Sequence, residues 1–122
     1  MKLLLDTNVF IRWHGGRLPP GAVRVLQRAE SVTVSAITAW EIAVKRALGK
    51  LKFDDAVEAV LADSGFRAFP VTVRHGDLLR ELPFHHPDPF DRLLIVQALE
   101  EGLTILTSDR AFEPYRVPVV WA

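Results

Sequence analysis

The chain of 122 residues contains no cysteine, which excludes disulfides and thiolate metal sites. No apolar stretch approaches the ~20 residues that a membrane helix needs, and the opening MKLLL is too short for a signal peptide. We therefore expect a cytoplasmic protein with no membrane segment. An excess of charge of one sign is also missing, because 15 Lys and Arg balance 15 Asp and Glu. Nucleic-acid binding would then need a local patch of positive charge.

The composition that is present is ordinary for a soluble globular protein. Hydrophobic residues make up 49% of the chain and charged residues 25%, which argues against a disordered chain or a coiled coil. The length suits one hydrophobic core. We expect a single domain over residues 1–122.

Short apolar runs alternate with helix-like segments along the whole chain. Strands are predicted at 2–5, 31–34, 66–69, 103–106 and 117–121, where Pro118 favours a sheet edge. Helices are predicted at 7–13, 20–29, from a Ser35 cap to Gly49, at 54–64, after Thr72, and from Pro89 to Gly102. This alternation predicts an α/β fold, a three-layer α/β/α sandwich with a mostly parallel five-stranded sheet.

Two of the predicted strands end near an aspartate. Asp6 follows KLLL, and Asp109 follows LTILTS. In an open parallel sheet, ligands bind at the carboxyl ends of the strands. Each aspartate alone is explained as simply by a helix cap or a turn.

Two further acids occupy apolar helices. Glu41 shares a helical stripe with Ile37 and Val44 and so should face the core, unless it leans to solvent or pairs with Lys45. Asp91 lies in the first turn of the helix beginning PFDRLLIVQA, where the helix dipole favours an anion. The helix dipole alone does not explain why an otherwise apolar helix begins at the same strand end as Asp6.

Four acids that converge on one rim would repel each other and raise some of their pKa values. A divalent cation resolves this conflict, and carboxylate oxygens without thiolates suit Mg²⁺ or Mn²⁺. One or two such ions can activate a water and stabilise the leaving oxygen of a phosphodiester. The pattern therefore favours a metal-dependent nuclease.

Four blocks of the sequence, LLLDTNVFIRW, SAITAWEIAVKRALGKL, HHPDPFDRLLIVQA and ILTSDRAF, resemble in order and spacing the acidic blocks of PIN-domain ribonucleases, in particular the VapC-type toxins. The resemblance implies an endoribonuclease dependent on Mg²⁺ or Mn²⁺, usually dimeric and inhibited by a cognate antitoxin. It implies a metal-binding catalytic quartet of Asp6, Glu41, Asp91 and Asp109. Polar helpers would be Asn8, Thr107 and Ser108, and Pro87 departs from the polar residue that related sequences often carry.

Several basic residues lie beside the acidic blocks and could contact RNA phosphates, namely Lys45, Arg46, Arg92 and Arg110.

His85 and His86 could act as an acid–base pair. The simpler interpretation, which we favour, is a surface loop pair that positions the helix of Asp91.

Two other functions fit the alternating pattern. A receiver-like phospho-accepting domain would need adjacent acids after the first strand and a lysine late in the chain, but the first strand ends in DTN and no lysine follows Lys52. A catalytically silent α/β module that docks a protein partner stays open as the alternative to an RNA-cleaving enzyme.

Overall fold

The structure, a computed structural model, describes all residues from 1 to 122. The strands are β1 (Lys2–Leu5), β2 (Ser31–Ser35), β3 (Arg67–Phe69), β4 (Thr104–Thr107) and β5 (Val119–Trp121). The α-helices are α1 (Thr7–His14), α2 (Pro20–Arg28), α3 (Ala36–Ala47), α4 (Val57–Ser64), α5 (Val73–Leu78) and α6 (Pro89–Glu101). Two 3₁₀ turns span Leu79–Glu81 and Arg110–Phe112. None of the helices has both the length and the apolar character that crossing a bilayer requires.

The five strands form one sheet in the order β3-β2-β1-β4-β5, and every neighbouring pair is parallel. The predicted α/β fold with a five-stranded sheet is confirmed. β5 is an edge strand, as Pro118 predicts, but it begins only after that proline. Pro118 has no N–H to donate, although its carbonyl still accepts a hydrogen bond from the Ile105 N–H at 2.9 Å.

Apolar side chains cover both faces of the sheet. Side chains alternate along a strand, so Leu3 and Leu5 of β1 belong to one hydrophobic cluster and Leu4 to the other. The first cluster packs against α1 and α2 through Val9, Phe10 and Leu26. The second packs against α6 through Leu94, Ile95 and Ala98. Helices on both faces give the three layers.

Most helix boundaries lie close to those predicted, with one clear difference. The Ser35 hydroxyl accepts a hydrogen bond from the Ile37 N–H at 3.0 Å, which confirms the predicted cap of α3. α4 begins at Val57 rather than near residue 54. Asp55 lies 2.8 Å from the His14 ring of α1, so the preceding segment is drawn across to another helix.

The strand order creates a crevice at the carboxyl ends of β1 and β4. From β1 the chain builds the sheet outward through β2 and β3, and it then returns to the other side of β1 with β4 and β5. Such a reversal of strand order is where open α/β sheets bind ligands. The Asp6 N–H donates to the Leu106 carbonyl at 3.1 Å, so Asp6 lies directly beside the end of β4.

A glycine pair tests the helix ends of this fold. Gly102 ends α6 with a φ of +67°, whereas Gly76 of α5 has an ordinary helical φ and open space around it. Gly102→Ala should lower the free energy of unfolding by about 1 kcal/mol, because an L side chain is strained in the left-handed region. Gly76→Ala should be neutral or slightly stabilising. Urea denaturation of both variants measures the difference, and equal effects would contradict the described end of α6.

Candidate active site

Asp6 follows β1 and occupies the N-cap position of α1, yet its side chain makes no capping hydrogen bond. Its Oδ2 instead accepts a hydrogen bond from the Thr107 hydroxyl of β4 at 2.7 Å. The residue is only 3% exposed. The cap explanation for Asp6 is therefore wrong, because its carboxylate faces the crevice between β1 and β4.

Thr107 connects two of the predicted site residues. Besides donating to Asp6, its hydroxyl accepts a hydrogen bond from the Asp109 N–H at 3.0 Å. Asp109 itself caps the following 3₁₀ turn, since its Oδ1 accepts from the Ala111 N–H at 2.9 Å. Asp109 thus fills the expected turn role with one oxygen, and its Oδ2 lies toward His86 at 4.0 Å.

Glu41 of α3 is buried, with 4% of its surface exposed. Its Oε2 lies 2.8 Å from the Lys45 ammonium one helical turn away, so the pairing anticipated from the sequence occurs and the solvent-facing alternative is wrong. Its Oε1 is buried without any hydrogen-bond partner. Buried carboxylate oxygens are costly without compensation, and this one is free to bind a ligand.

Asp91 of α6 is buried, at 7% exposure, although it lies in the first helical turn. Capping of α6 falls to Asp88, whose Oδ1 accepts from the Phe90 and Asp91 N–H groups at 2.8 and 3.2 Å. The Asp91 carboxylate is therefore not needed as a cap. Its Oδ2 lies 2.7 Å from the His86 Nε2.

The two neighbouring histidines differ in their surroundings. The His85 side chain is exposed, as a surface loop residue should be, and its ring packs edge-on against Tyr115. The His86 side chain is only 12% exposed and contacts Asp91. The interpretation as a surface pair is thus wrong for His86. The sequence showed a histidine five positions before Asp91 but not which of the two faces inward.

Burial and mutual repulsion raise two pKa values in this cluster. Burial raises the pKa of Asp6 from 3.8 to about 6, with further increases from the charges of Glu41 and Asp109 and an opposing effect of the Thr107 hydrogen bond. Burial also raises the pKa of Asp91, to about 7, assisted by the charge of Asp6 and opposed by His86. The carboxylate of Asp6 therefore interacts electrostatically with each of the other three predicted acids.

The predicted basic and polar helpers have varied surroundings. Lys45 is occupied by Glu41, and the Arg110 guanidinium lies 4.1 Å from the centre of the Trp121 ring. Arg92 donates to the Pro83 carbonyl and the Tyr115 hydroxyl. Exposed side chains belong to Arg46, Asn8 and Ser108, and Ser108 accepts a 3.4 Å hydrogen bond from Arg12. Contact of the basic residues with RNA stays a prediction.

The donor atoms of this pocket suit a hard or borderline divalent cation. They are carboxylate oxygens and one imidazole nitrogen, with no thiolate in the chain. Ligand atoms of His86, Asp91 and Asp109 all lie within 4.8 Å of one another. The unpartnered Glu41 Oε1 adds a buried oxygen that lacks a counter-charge. The residues present therefore fit such an ion.

Fold and pocket together define an α/β protein with a buried acidic site where the strand order reverses. The family model of the PIN domain matches residues 3–117. The chain therefore belongs to the PIN-domain family.

Individual relatives agree with this assignment. Ribonuclease VapC22 of Mycobacterium tuberculosis is 28% identical over 127 residues, which cover 98% of each chain. The structure of VapBC2 from Rickettsia felis bound to a DNA fragment from their promoter superposes with a TM-score of 0.75 at 16% identity, covering 100% of this chain and 99% of that one. The structure of DNA-bound VapBC from Salmonella typhimurium superposes with a TM-score of 0.70 at 18% identity, covering 99% of this chain and 98% of that one. The two structures show a shared fold.

The raised pKa values predict that the metal-free protein loses stability as the pH rises. Between about pH 4 and 7 the folded state holds protons on Asp6 and Asp91 that the unfolded chain has released, so the free energy of unfolding should fall through this window. Between pH 5 and pH 7.5 Asp6 alone should contribute about 1.4 kcal/mol, because about one unit of its pKa shift lies in this range and each pKa unit is worth about 1.4 kcal/mol. Urea denaturation in chelator at pH 5 and pH 7.5 measures the loss.

Neutral variants give the control for this prediction. Asp91→Asn should reduce the difference between the two pH values, because its amide cannot ionise. Asp63→Asn, at an exposed position of α4, should leave the difference unchanged. A wild-type protein that becomes more stable toward pH 7.5 would contradict the described electrostatics.

Proposed function

We propose that the protein, acting as one nuclease domain over residues 1–122, is a metal-dependent endoribonuclease and the toxin of a toxin–antitoxin pair. The observation that carries the proposal is the grouping of Asp6, Glu41, Asp91 and Asp109 at the strand reversal of a PIN-family fold. The ribonuclease name of the VapC22 relative supports the same activity.

The quartet of Asp6, Glu41, Asp91 and Asp109 would hold the ion, which we propose to be Mg²⁺ or Mn²⁺. When bound, such an ion supplies positive charge that stabilises phosphoryl oxygens and lowers the pKa of water. The chain's own part is to orient the carboxylates. The Thr107 hydroxyl fixes one oxygen of Asp6, and Lys45 holds one oxygen of Glu41 while the other stays free.

The reaction we propose is hydrolysis of an RNA phosphodiester. Water adds to phosphorus, the bond from phosphorus to the 3′-oxygen breaks, and that oxygen takes up a proton. The products would carry 5′-phosphate and 3′-hydroxyl ends. A nuclease that used the ribose 2′-hydroxyl as nucleophile would instead leave 2′,3′-cyclic phosphates, so the ends identify the mechanism.

Substrate contact has to come from local charge, because the chain carries 15 basic and 15 acidic residues. Arg46 is exposed on α3, the helix that carries Glu41. Arg12 lies next to Ser108, one residue before Asp109. We propose that these side chains bind backbone phosphates on both sides of the pocket. Lys45, Arg92 and Arg110 would add to this binding through the N–H groups that their contacts within the protein leave free.

We propose a cognate antitoxin protein and a second copy of the chain as partners. The solved structures from Rickettsia felis and Salmonella typhimurium are VapBC bound to DNA, and a structure of the same fold from Klebsiella pneumoniae is a toxin–antitoxin complex. Exposed apolar side chains such as Trp40 of α3 and Leu48 at the end of that helix are available for contact with another chain. Location in the cytoplasm follows from this function, because the RNA substrate is there.

Neutral variants of the quartet test the activity. Asp91→Asn should lower the rate of RNA cleavage at least 100-fold, because the site loses one of the carboxylates proposed to hold the catalytic ion. Asp63→Asn on the surface of α4 should cleave like wild type. The assay follows 5′-phosphate ends in a mixed RNA pool with Mg²⁺ or Mn²⁺, and in chelator. Undiminished cleavage in chelator, or cyclic phosphate products, would refute the metal-dependent mechanism.

A growth assay tests the toxin role. Expression of the wild-type chain in a bacterial host should arrest growth, and Asp6→Asn should not, provided both accumulate equally as folded protein. Co-expression with the cognate antitoxin should restore growth and yield a co-purifying complex. If Asp6→Asn were as toxic as wild type, the catalytically silent docking module would explain the arrest instead.

A further inference from the structure

We propose that His86 is a ligand of the metal ion, so that the site combines carboxylate oxygens with one imidazole nitrogen and binds Mn²⁺ in preference to Mg²⁺. The inference rests on the proposed metal-dependent function and adds to the acidic quartet a residue of a different donor type.

The position of the ring carries the argument. The His86 Nε2 lies 2.7 Å from Asp91 Oδ2 and 4.0 Å from Asp109 Oδ2. Neighbouring donors around an octahedral ion with bonds of about 2.1 Å lie about 3 Å apart. The three donor atoms all lie within 4.8 Å of one another, so a small adjustment of their side chains would bring them to the spacing of donors that share one ion.

The backbone presents His86 to the pocket independently of its contact with Asp91. The Tyr115 hydroxyl, on a buried residue, accepts hydrogen bonds from the His85 and His86 N–H groups, each at 3.0 Å. Arg92 donates to the same hydroxyl at 3.2 Å. Pro87 and Pro89 have a fixed φ and restrict the residues before them, His86 and Asp88. These contacts hold the backbone from which the His86 side chain projects, and such rigid support is typical of a preorganised site.

A second observation shows that this pocket lacks positive charge. The Glu41 Oε1 is buried and unpartnered, the charge of Glu41 acts on Asp6, and that of Asp6 acts on Asp91. The free oxygen thus belongs to the same electrostatic cluster as the His86–Asp91 pair. Lys45 binds Glu41 and His86 contacts Asp91, so four carboxyl groups share two basic partners.

An imidazole nitrogen changes which ion the pocket favours. Mg²⁺ is bound almost entirely by oxygen and keeps several waters. Imidazole suits the transition metals, whose affinity for a given site rises from Mn²⁺ through Co²⁺ to Ni²⁺. If His86 only held Asp91 by a hydrogen bond, its removal would weaken Mg²⁺ and Mn²⁺ binding alike. A ligand role predicts a larger loss for Mn²⁺.

Electron spin echo envelope modulation of the Mn²⁺-loaded full chain tests the assignment directly. The wild-type protein should show coupling from a directly bound ¹⁴N nucleus, and labelling its histidines with ¹⁵N should replace that signal. His86→Gln should lose it and bind Mn²⁺ about tenfold more weakly in calorimetry, with a smaller loss for Mg²⁺. His85→Gln, at the exposed neighbour, should keep both properties.

The outcomes separate this inference from the proposed function. Wild-type protein that binds Mn²⁺ and shows no nitrogen coupling would overturn the His86 assignment and leave the carboxylate site intact. Protein that binds neither ion would overturn both. Equal losses for Mg²⁺ and Mn²⁺ in His86→Gln would make His86 a positioning residue. The wild-type signal needs no variant, so a failure of His86→Gln to fold would not prevent the decision.

Discussion

Like-charged carboxylates are buried together where the strand order reverses, and the surrounding residues are arranged around them. β1 and β4 are neighbours, and they direct Asp6 and Thr107 into one crevice. α3 and α6 add Glu41 and Asp91 from within their apolar helices. Burial and repulsion raise the pKa values of Asp6 and Asp91, so the site opposes the stability of the fold that contains it. Such opposition is typical of functional sites.

The surrounding residues take over the structural tasks that the acids would otherwise perform. Asp88 caps α6 in place of Asp91, and Ser35 caps α3. Thr107 orders Asp6 while accepting the Asp109 N–H. Because other side chains make these local hydrogen bonds, the carboxylates of Asp6 and Asp91 are not needed as helix caps and can face the pocket. Only Asp109 combines a cap with a place beside the site.

Local patterns were enough to predict the fold class and the acids but not all of their contacts. The long apolar helix from Pro89 and the strand runs depend on neighbouring residues, so the sequence shows them directly. The inward turn of His86 depends on Tyr115, about 30 positions later in the chain, and no local pattern reveals it. In the segment before the late start of α4, Asp55 contacts the distant His14 ring. Both differences involve hydrogen bonds between residues far apart in the chain, which local patterns do not show.

We propose that acids distant in the sequence share one divalent ion in this crevice. The decisive measurement is anomalous scattering near the manganese edge from a crystal of the wild-type protein soaked in Mn²⁺. A shared ion should give a strong anomalous peak coordinated by oxygens from at least two of Asp6, Glu41, Asp91 and Asp109. A well-soaked crystal with no peak in the crevice, and with these carboxylates held only by protein contacts, would contradict it.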